Sequence, residues 1–404
     1  MTIPALDPLT RDPSIPPETR RADCCVLGAG GLLLALLLAR KGVRVHLVHV
    51  EHDLPGDAIH PGALEILDSI GLADRLLAIS HGRMTRLALR AGPRAVTIAD
   101  FSVLESKFPY VALIPELQLL EFLAAEALKH AGFTSLMGEN QSTLIREQGR
   151  VVGLRSPGLE VRAKLTIVFN GSLSGLSDLE GLSPIGASPR VEVLWFQLPH
   201  LPGDLTQDQA GIRVGPGRIL VQIDRGDQWL LGLVLPRGES ARLREQGLPA
   251  FRAAAAALAP ELSERLTTLA DWRSITPLEV GSTRLETWHR PGILFLGEAA
   301  HPMSPVGGFQ LNSAIQDAVE AANLLADPLR TGSVATAHLV EIQRRREFPT
   351  RVIQFLQASI QERILSQPSG VDRPLRLPWQ FRLPGVTGLA TRLIAYGFRR
   401  ARIE

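Results

Sequence analysis

The sequence predicts an α/β chain in which a parallel-sheet, dinucleotide-binding framework is interrupted by a second, antiparallel sheet. Three observations lead there. Residues 23–27 form a short apolar run that enters Gly28-Ala29-Gly30-Gly31, then a Leu-rich stretch, then a second apolar run over 43–50. Residues 191–198, 217–224 and 228–235 read as strands. Residues 292–297 form another short apolar run, followed by a glycine-rich loop and a long helical pattern at 312–326.

Taken in order, the opening is strand, tight turn, helix (32–41) and strand, with Gly42 ending the helix. Such a βαβ unit has a right-handed crossover into a parallel sheet. Residues 60–77 follow as an amphipathic helix with Leu64, Leu67 and Ile70 among its apolar positions. Residues 83–101 suggest two strands joined at Ala91-Gly92-Pro93, and 117–130 a helix. Residues 143–170 read as a hairpin and then a strand at 165–169; a helical stretch lies at 247–270. Strand alternation around Val193, Trp195, Phe196, Ile219, Val221 and Trp229 hints at an apolar ceiling over a pocket. The C-terminal region is helical to about Ser366, then Pro-rich, and ends in an apolar, Arg-rich stretch at 387–402.

The expected division is a flexible extension at 1–21, a dinucleotide-binding-type domain from 22–77, 103–187 and 283–345, a substrate domain from 78–102 and 188–282, and a helical region at 346–404. At 404 residues the chain is long enough for two domains and a large core. Its 45% hydrophobic and 21% charged residues are ordinary for a globular protein. The formal net charge is +2, with basic residues scattered apart from a C-terminal cluster, so no nucleic-acid partner is expected.

Cys24 and Cys25 are the only cysteines. Neighbours on a strand point to opposite faces, so a bridge between them is sterically poor and no Cys-based metal site is available. This usage fits a reducing cytoplasm, the expected location. Residues 1–21 lack the apolar core of a signal peptide. The most apolar stretch, 24–39, is closed by Asp23 and Arg40-Lys41 and is slightly short for a bilayer, so no integral membrane segment is expected.

Three motifs follow one another: Gly28-x-Gly30; Ile59-His60-Pro61-Gly62-x-Leu64-Glu65-x-Leu67; and Gly297-x-Ala299-Ala300-His301-Pro302-x-x-Pro305-x-Gly307-Gly308, which runs on into Leu311-Asn312-x-Ala314-Ile315-Gln316-Asp317-Ala318. A Gly-x-Gly alone carries little weight, whereas the long last motif is highly specific. In this order they resemble the FAD-dependent aromatic-hydroxylase-type monooxygenases, single-component flavoproteins related to para-hydroxybenzoate and ubiquinone-pathway hydroxylases, over about 22–365. The resemblance implies a Rossmann-like FAD-binding domain of the glutathione-reductase type with an interleaved antiparallel-sheet substrate domain. It implies FAD extended along the first domain, reduction by NAD(P)H, and hydroxylation of an aromatic or otherwise activated substrate. On that pattern Gly28, Gly30, Gly31, Glu298, Gly307 and Gly308 are the cofactor-binding positions.

The chain departs from the pattern at several of these contacts. Leu33 replaces a third glycine, and its side chain is expected to push helix and strand apart. His49 replaces the acid that accepts from the adenosine ribose; Glu51, two residues on, shares its strand face. Pro55 stands for an Arg, Glu116 for a Gln, and Val168-Phe169-Asn170-Gly171 for Gly-Ala-Asp-Gly, with Ser177 where an Arg follows. Glu298 replaces an Asp that bonds the ribityl or pyrophosphate part of FAD, and Gln310 a loop glycine. Each lost bond costs about 1–3 kcal/mol, or about tenfold to a hundredfold in affinity. The expectation is a retained fold that binds no cofactor tightly.

Three functional readings follow. The first is a flavin-independent enzyme that uses the crevice for acid–base chemistry (cyclisation, isomerisation, dehydration or hydrolysis) on a bulky apolar, aromatic or polyketide-like small molecule. Its candidate groups are Glu298, His60, His301 and Glu116, with His49 beside them; Glu298 leads because partial burial would raise its carboxyl toward neutrality. Each also has a structural reading: His60 and His301 precede prolines within the general pattern, His49 ends a strand at the surface, and Glu116 starts a helix where an acid suits the dipole. The second is an FAD- and NAD(P)H-dependent monooxygenase on such a substrate, its binding shifted to backbone amides. The third is a non-catalytic partner of an active homologue, docking through Leu389, Leu393, Ile394 and Phe398 with Arg392, Arg399, Arg400 and Arg402; the same run also reads as an amphipathic helix packed on its own domain. A homodimer stays open.

Overall fold

Each apolar run that leads into a glycine turn becomes a strand of one eight-stranded sheet. Glu18–Leu27 lies near its centre, parallel to Val45–His49 on one side and to Leu159–Val168 on the other. Phe133–Met137 extends one wing and Ile293–Phe295 the other, both in parallel, and His289–Arg290 closes the latter edge antiparallel. A hairpin of Thr143–Glu147 and Arg150–Ser156 branches from Leu159–Val168. The structure is a computed structural model and describes residues 18–49, 58–137, 142–169, 181–186, 191–201, 210–225, 228–366 and 385–404. The first strand starts at Glu18, so residues 18–21 belong to the sheet rather than to the expected extension.

The register sets Leu27, Val48, Val168 and Phe295 side by side, so the parallel strands end together. In open parallel sheets ligands bind outside this carboxyl edge. Helix α1 (Leu32–Arg40) covers the sheet and is buried from Leu32 to Ala39. A Cβ on Gly31 would lie 2.3 Å from Val26 Cγ1. The close crossing of chain over strand is therefore made at Gly31, just before α1, and Leu33 is buried in the core instead of wedging the two apart. That corrects the steric expectation for Leu33.

Pro61, with its φ fixed for a helix start, opens α2 (Pro61–Ser69), and Glu116 opens α3 (Glu116–Ala127). The expected helix at 60–77 is broken at Ile70-Gly71, where Gly71 takes a positive φ. Gly308 and Gly332, both left-handed, bracket the long α4 (Phe309–Thr331), and α5 (Thr336–Leu365) packs on it.

The second sheet has seven strands in the order Ile275–Val280, Val191–Pro199, Gln228–Pro236, Arg218–Asp224, Ala210–Gly215, Arg86–Ala91, Arg94–Asp100. Its pairs are antiparallel except Ala210–Gly215 with Arg86–Ala91. The expected antiparallel sheet thus carries one parallel join, where two segments distant in sequence meet. Period-2 alternation divides its faces. Val191, Val193 and Trp195 look toward the rest of the molecule, while Leu194, Phe196 and Leu198 pack on Leu248–Ala256 and Ser263–Leu266.

The C-terminal run folds back as α6 (Val386–Tyr396). Thr391 Oγ1 accepts from Asp100 N at 2.9 Å, Arg400 pairs with Glu65, and Asn323 bonds Arg402 O at 2.7 Å and Glu404 N at 3.1 Å. Of the two readings of this stretch, the structure has the amphipathic helix packed on its own chain, with Leu389 and Phe398 left exposed. Among the described residues no helix is long and apolar enough to cross a membrane. Cys24 and Cys25 are buried and unbridged, and burial pushes the Cys25 thiol up to about 12.

Gly292, in the turn between His289–Arg290 and Ile293–Phe295, has φ +81, and a Cβ there would lie 2.0 Å from Val151 O of the hairpin. Gly292→Ala is expected to destabilise the fold by about 3 kcal/mol, read as a lower urea midpoint. An unchanged midpoint would show that this turn relaxes freely.

Candidate active site

A cavity of about 550 Å³ opens at the carboxyl edge of the first sheet and reaches the second. That is within the rough 300–1,000 Å³ range of small-molecule sites. Three glycines contribute to its floor, Gly30 from the turn before α1 and Gly307 and Gly308 from the loop before α4, beside Phe169, Leu311 and Ala314. Gly307 and Gly308 have φ of +87 and +64, and a Cβ on Gly308 would lie 2.7 Å from Ala58 Cβ. Glycine is thus set there by the positive φ and by Ala58, whereas Gly30, whose Cβ would meet only Phe169 Cβ at 3.9 Å, presents open backbone to the cavity. The ceiling is mostly apolar, with Trp195, Ile212, Val221 and Leu278 from the second sheet beside Gln222 and Glu279. Ile394 of α6 adds to the wall.

Of the residues singled out from sequence, Gly30, His60, Glu116, Glu298, Gly307, Gly308 and Gln310 all line this cavity. Gly28 makes the turn at φ +101, and Gly31 lies under Phe169. The Phe169 ring fills the space between two glycine turns, 2.9 Å from a Cβ placed on Gly31 and 3.0 Å from one placed on Gly297. His49 is buried with Nε2 3.1 Å from Ser135 Oγ, not at the surface as expected. His301 lies beneath the cavity, fully buried. Pro55 and Asn170 fall outside the described residues, as do Glu51 and Ser177.

Gln310, expected to block the loop, turns back instead: its Oε1 accepts from Met303 N at 2.7 Å. The side chain thus closes the 303–310 turn and leaves Gly307 and Gly308 on the cavity surface.

His60 is a brace. Its backbone N–H donates to Asn312 Oδ1 at 2.8 Å, and its Nε2 lies 3.1 Å from Gly307 O. Asn312 Nδ2 donates to Ala58 O at 2.9 Å and Gly308 O at 2.7 Å, so one amide ties the 58–60 segment to the start of α4. Burial lowers the His60 imidazole to about 4, against hydrogen bonds to the Ile394 and Gly307 carbonyls that raise it. The ring is neutral at physiological pH.

Beneath the loop sits a buried ionic cluster. Asp317 Oδ2 accepts from Gly297 N at 3.0 Å and lies 2.6 Å from His301 Nε2, while Oδ1 accepts from Arg346 Nε at 2.7 Å. Burial alone would raise the Asp317 carboxyl, but His301 and Arg346 hold it below the usual carboxylate value. Sequence reading missed the roles of Asp317, Asn312 and Arg346. The available signal was an acid at 317 on a helix face otherwise made by Ile315, Ala318 and Ala321.

A parallel sheet whose carboxyl edge bears two glycine turns beneath an apolar second sheet defines an α/β dinucleotide-binding protein. The comparisons make this specific. The FAD binding domain family matches residues 21–356, and the chain belongs to it, among the FAD-dependent aromatic-hydroxylase-type monooxygenases. It is 28% identical over 414 residues to 6-methylpretetramide 4-monooxygenase of Streptomyces rimosus, covering 98% of this chain and 97% of that protein. To protoasukamycin 4-monooxygenase of Streptomyces nodosus subsp. asukaensis it is 28% identical, with 83% and 86% covered. Its fold is similar to that of PqsL from P. aeruginosa (TM-score 0.72, 18% identity, 86% and 97% covered). It is also similar to that of p-nitrophenol 4-monooxygenase PnpA from Pseudomonas putida DLL-E4 (TM-score 0.69, 19% identity, 93% and 94% covered).

Two expectations fall to these findings. A flavin-independent acid–base enzyme, and a site with no tightly bound cofactor, both rested on altered side chains. The family match spans all the cofactor segments, and the relatives are named monooxygenases, which points to FAD as the cofactor and to the monooxygenase reading. The geometry removes two of the steric grounds for those expectations, at Leu33 and Gln310, while the Phe169 ring stands between the turns at Gly31 and Gly297. Gly31 makes the crossing that Leu33 was expected to spoil, Gln310 folds away, and the rings of His60 and His301 are engaged with Gly307 O and Asp317 rather than poised for proton transfer.

Because His60 titrates near 4 when folded and near 6.5 otherwise, the unfolded chain takes up a proton first as pH falls. Stability is lost across that window, by about 2 kcal/mol between neutrality and about pH 5. Burial lowers His46 and His289 as well, so urea unfolding of the parent and of His60→Gln at these two pH values is expected to show a loss larger in the parent by about that amount. Equal losses in both would place the charge-sensitive group elsewhere.

Proposed function

We propose that this protein is an FAD- and NAD(P)H-dependent monooxygenase acting on a bulky, apolar, aromatic or polyketide-like molecule. One observation carries the reading: bare glycine backbone and a mostly apolar ceiling face each other across a single cavity. The floor fits the cofactor at Gly30, where an added Cβ would meet nothing of the chain nearer than Phe169 Cβ at 3.9 Å, so bare backbone faces the cavity. On this reading Gly28, Gly30 and Gly31 receive the pyrophosphate side at the start of α1, and Glu298, Gly307 and Gly308 hold the ribityl and flavin end. When bound, FAD supplies the redox chemistry, passing two electrons from NAD(P)H to dioxygen so that one oxygen atom enters the substrate and the other leaves as water.

The chain's own residues position and exclude. The ceiling formed by Trp195, Ile212, Val221 and Leu278 keeps water from the reacting face. The His60 ring, its Nε2 3.1 Å from Gly307 O, lies against the floor and backs it. No Lys or Arg lines the cavity among the described residues, which favours a substrate held by shape and apolar contact over one held by a carboxylate. The two relatives named for 6-methylpretetramide and protoasukamycin support a substrate of that bulk.

Incubation with FAD followed by gel filtration is expected to give a yellow protein with about one flavin per chain. NAD(P)H consumption should then quicken with a polycyclic aromatic phenol and yield a product heavier by one oxygen. A colourless protein after that treatment removes the reading. Glu298→Ala is expected to weaken FAD about tenfold to a hundredfold, measured by recovery of flavin fluorescence on release.

A further inference from the structure

Helix α5 carries a row of polar side chains that solvent does not explain. Arg346, Thr350, Gln354, Gln357 and Gln361 recur at steps of three or four residues along one face, and all are buried. A buried amide is costly unless bonded. The three glutamines direct their N–H groups chiefly at the loop between Gly297 and Gly308. Gln354 Nε2 donates to Pro302 O at 3.2 Å and to Thr283 O at 2.6 Å. Gln357 Nε2 donates to Ser304 O at 3.0 Å and to Val306 O at 2.8 Å. Gln361 Nε2 donates to Ser304 Oγ, which also accepts from Val306 N at 3.2 Å. Arg346 reaches the same loop through Asp317, which holds Gly297 N.

Alternate carbonyls in the second half of the loop, at 302, 304 and 306, are thus fixed toward α5. The next residues, Gly307 and Gly308, are part of the floor of the cavity. The loop has no strand or long helix to stiffen it, and glycine backbone surrenders much conformational freedom when ordered. We propose that Gln354, Gln357 and Gln361 are positioning residues: through these donated bonds α5 sets the backbone of the loop and hence the shape of the Gly307–Gly308 floor. They touch neither substrate nor cofactor. The part of the proposal that concerns FAD rests on the reading given above.

Gln357→Met keeps the length and nearly the volume of the side chain and removes both donors. Amide hydrogen exchange on the full chain without FAD is expected to quicken about tenfold in peptides covering 302–309, while peptides from the parallel strands stay unchanged. FAD affinity is expected to fall about tenfold in the same variant. Gln361→Met serves as the second variant should the first fail to fold. Unchanged exchange in 302–309, or a rise spread evenly over the chain, overturns the proposal, since a merely structural glutamine would act evenly. Faster loop exchange with FAD held as tightly as by the parent overturns it too. A parent that binds no FAD, with the loop still loosened in the variant, leaves the positioning role standing and removes the cofactor reading instead.

Discussion

Asp317 is wholly buried and yet ionised because donors from three parts of the chain converge on it: the Gly297 amide, His301 and Arg346. Removing one partner of such a cluster strands a charge in a dry interior, which is why breaking a buried pair costs far more than the pair contributes. Here the cluster joins the last parallel strand, through Gly297, to α4 and α5. The loop that runs from this anchor to Gly308 therefore starts from a fixed point, and Trp288 packs on His301 with ring centres 5.0 Å apart. The floor of the cavity inherits its position from that anchor.

From there the site is built outward by backbone rather than by charged side chains. Asn312 satisfies three groups at once and locks the 58–60 segment to the head of α4. Gln310 bonds Met303 N, and the row on α5 takes up the carbonyls behind. A site of this kind tolerates unusual residues at its contacts, because backbone amides do not change when side chains do. That is the physical reason why counting altered residue types led to the wrong view of the cofactor.

The strands that end in glycine turns were legible, because a short apolar run before a glycine has few other uses. The second sheet was legible from its length-matched runs, though not the parallel join of Ala210–Gly215 with Arg86–Ala91, which depends on segments far apart in sequence. Leu33 was misread: its motif position suggested a wedge, but the crossing is made two residues earlier. His60, Glu116, Glu298 and Gln310 line one cavity while His49 and His301 do not, and the bonds that decide this were invisible in the sequence. Gln354, Gln357 and Gln361 escaped altogether, since glutamine at helix spacing reads as a solvated face until the loop opposite is known. Phe169 shows the converse, a bulky residue whose place beside two glycines only the fold reveals.

The order of strands also bears on how the chain is made. Glu18–Leu27 emerges first, but its partner Leu159–Val168 comes much later, and Ile293–Phe295 completes that wing later still. Most of the second sheet, from Val191 to Val280, is synthesised between those two partners. A nascent chain must therefore keep the apolar half of its first described strand, Cys24–Leu27, and α1 without their full cover until Phe295 has left the ribosome, the situation in which slow, non-local parallel pairing exposes a protein to aggregation. Folding helpers or slowed translation across the middle of the chain would matter more to this protein than to one whose neighbouring strands are also neighbours in sequence.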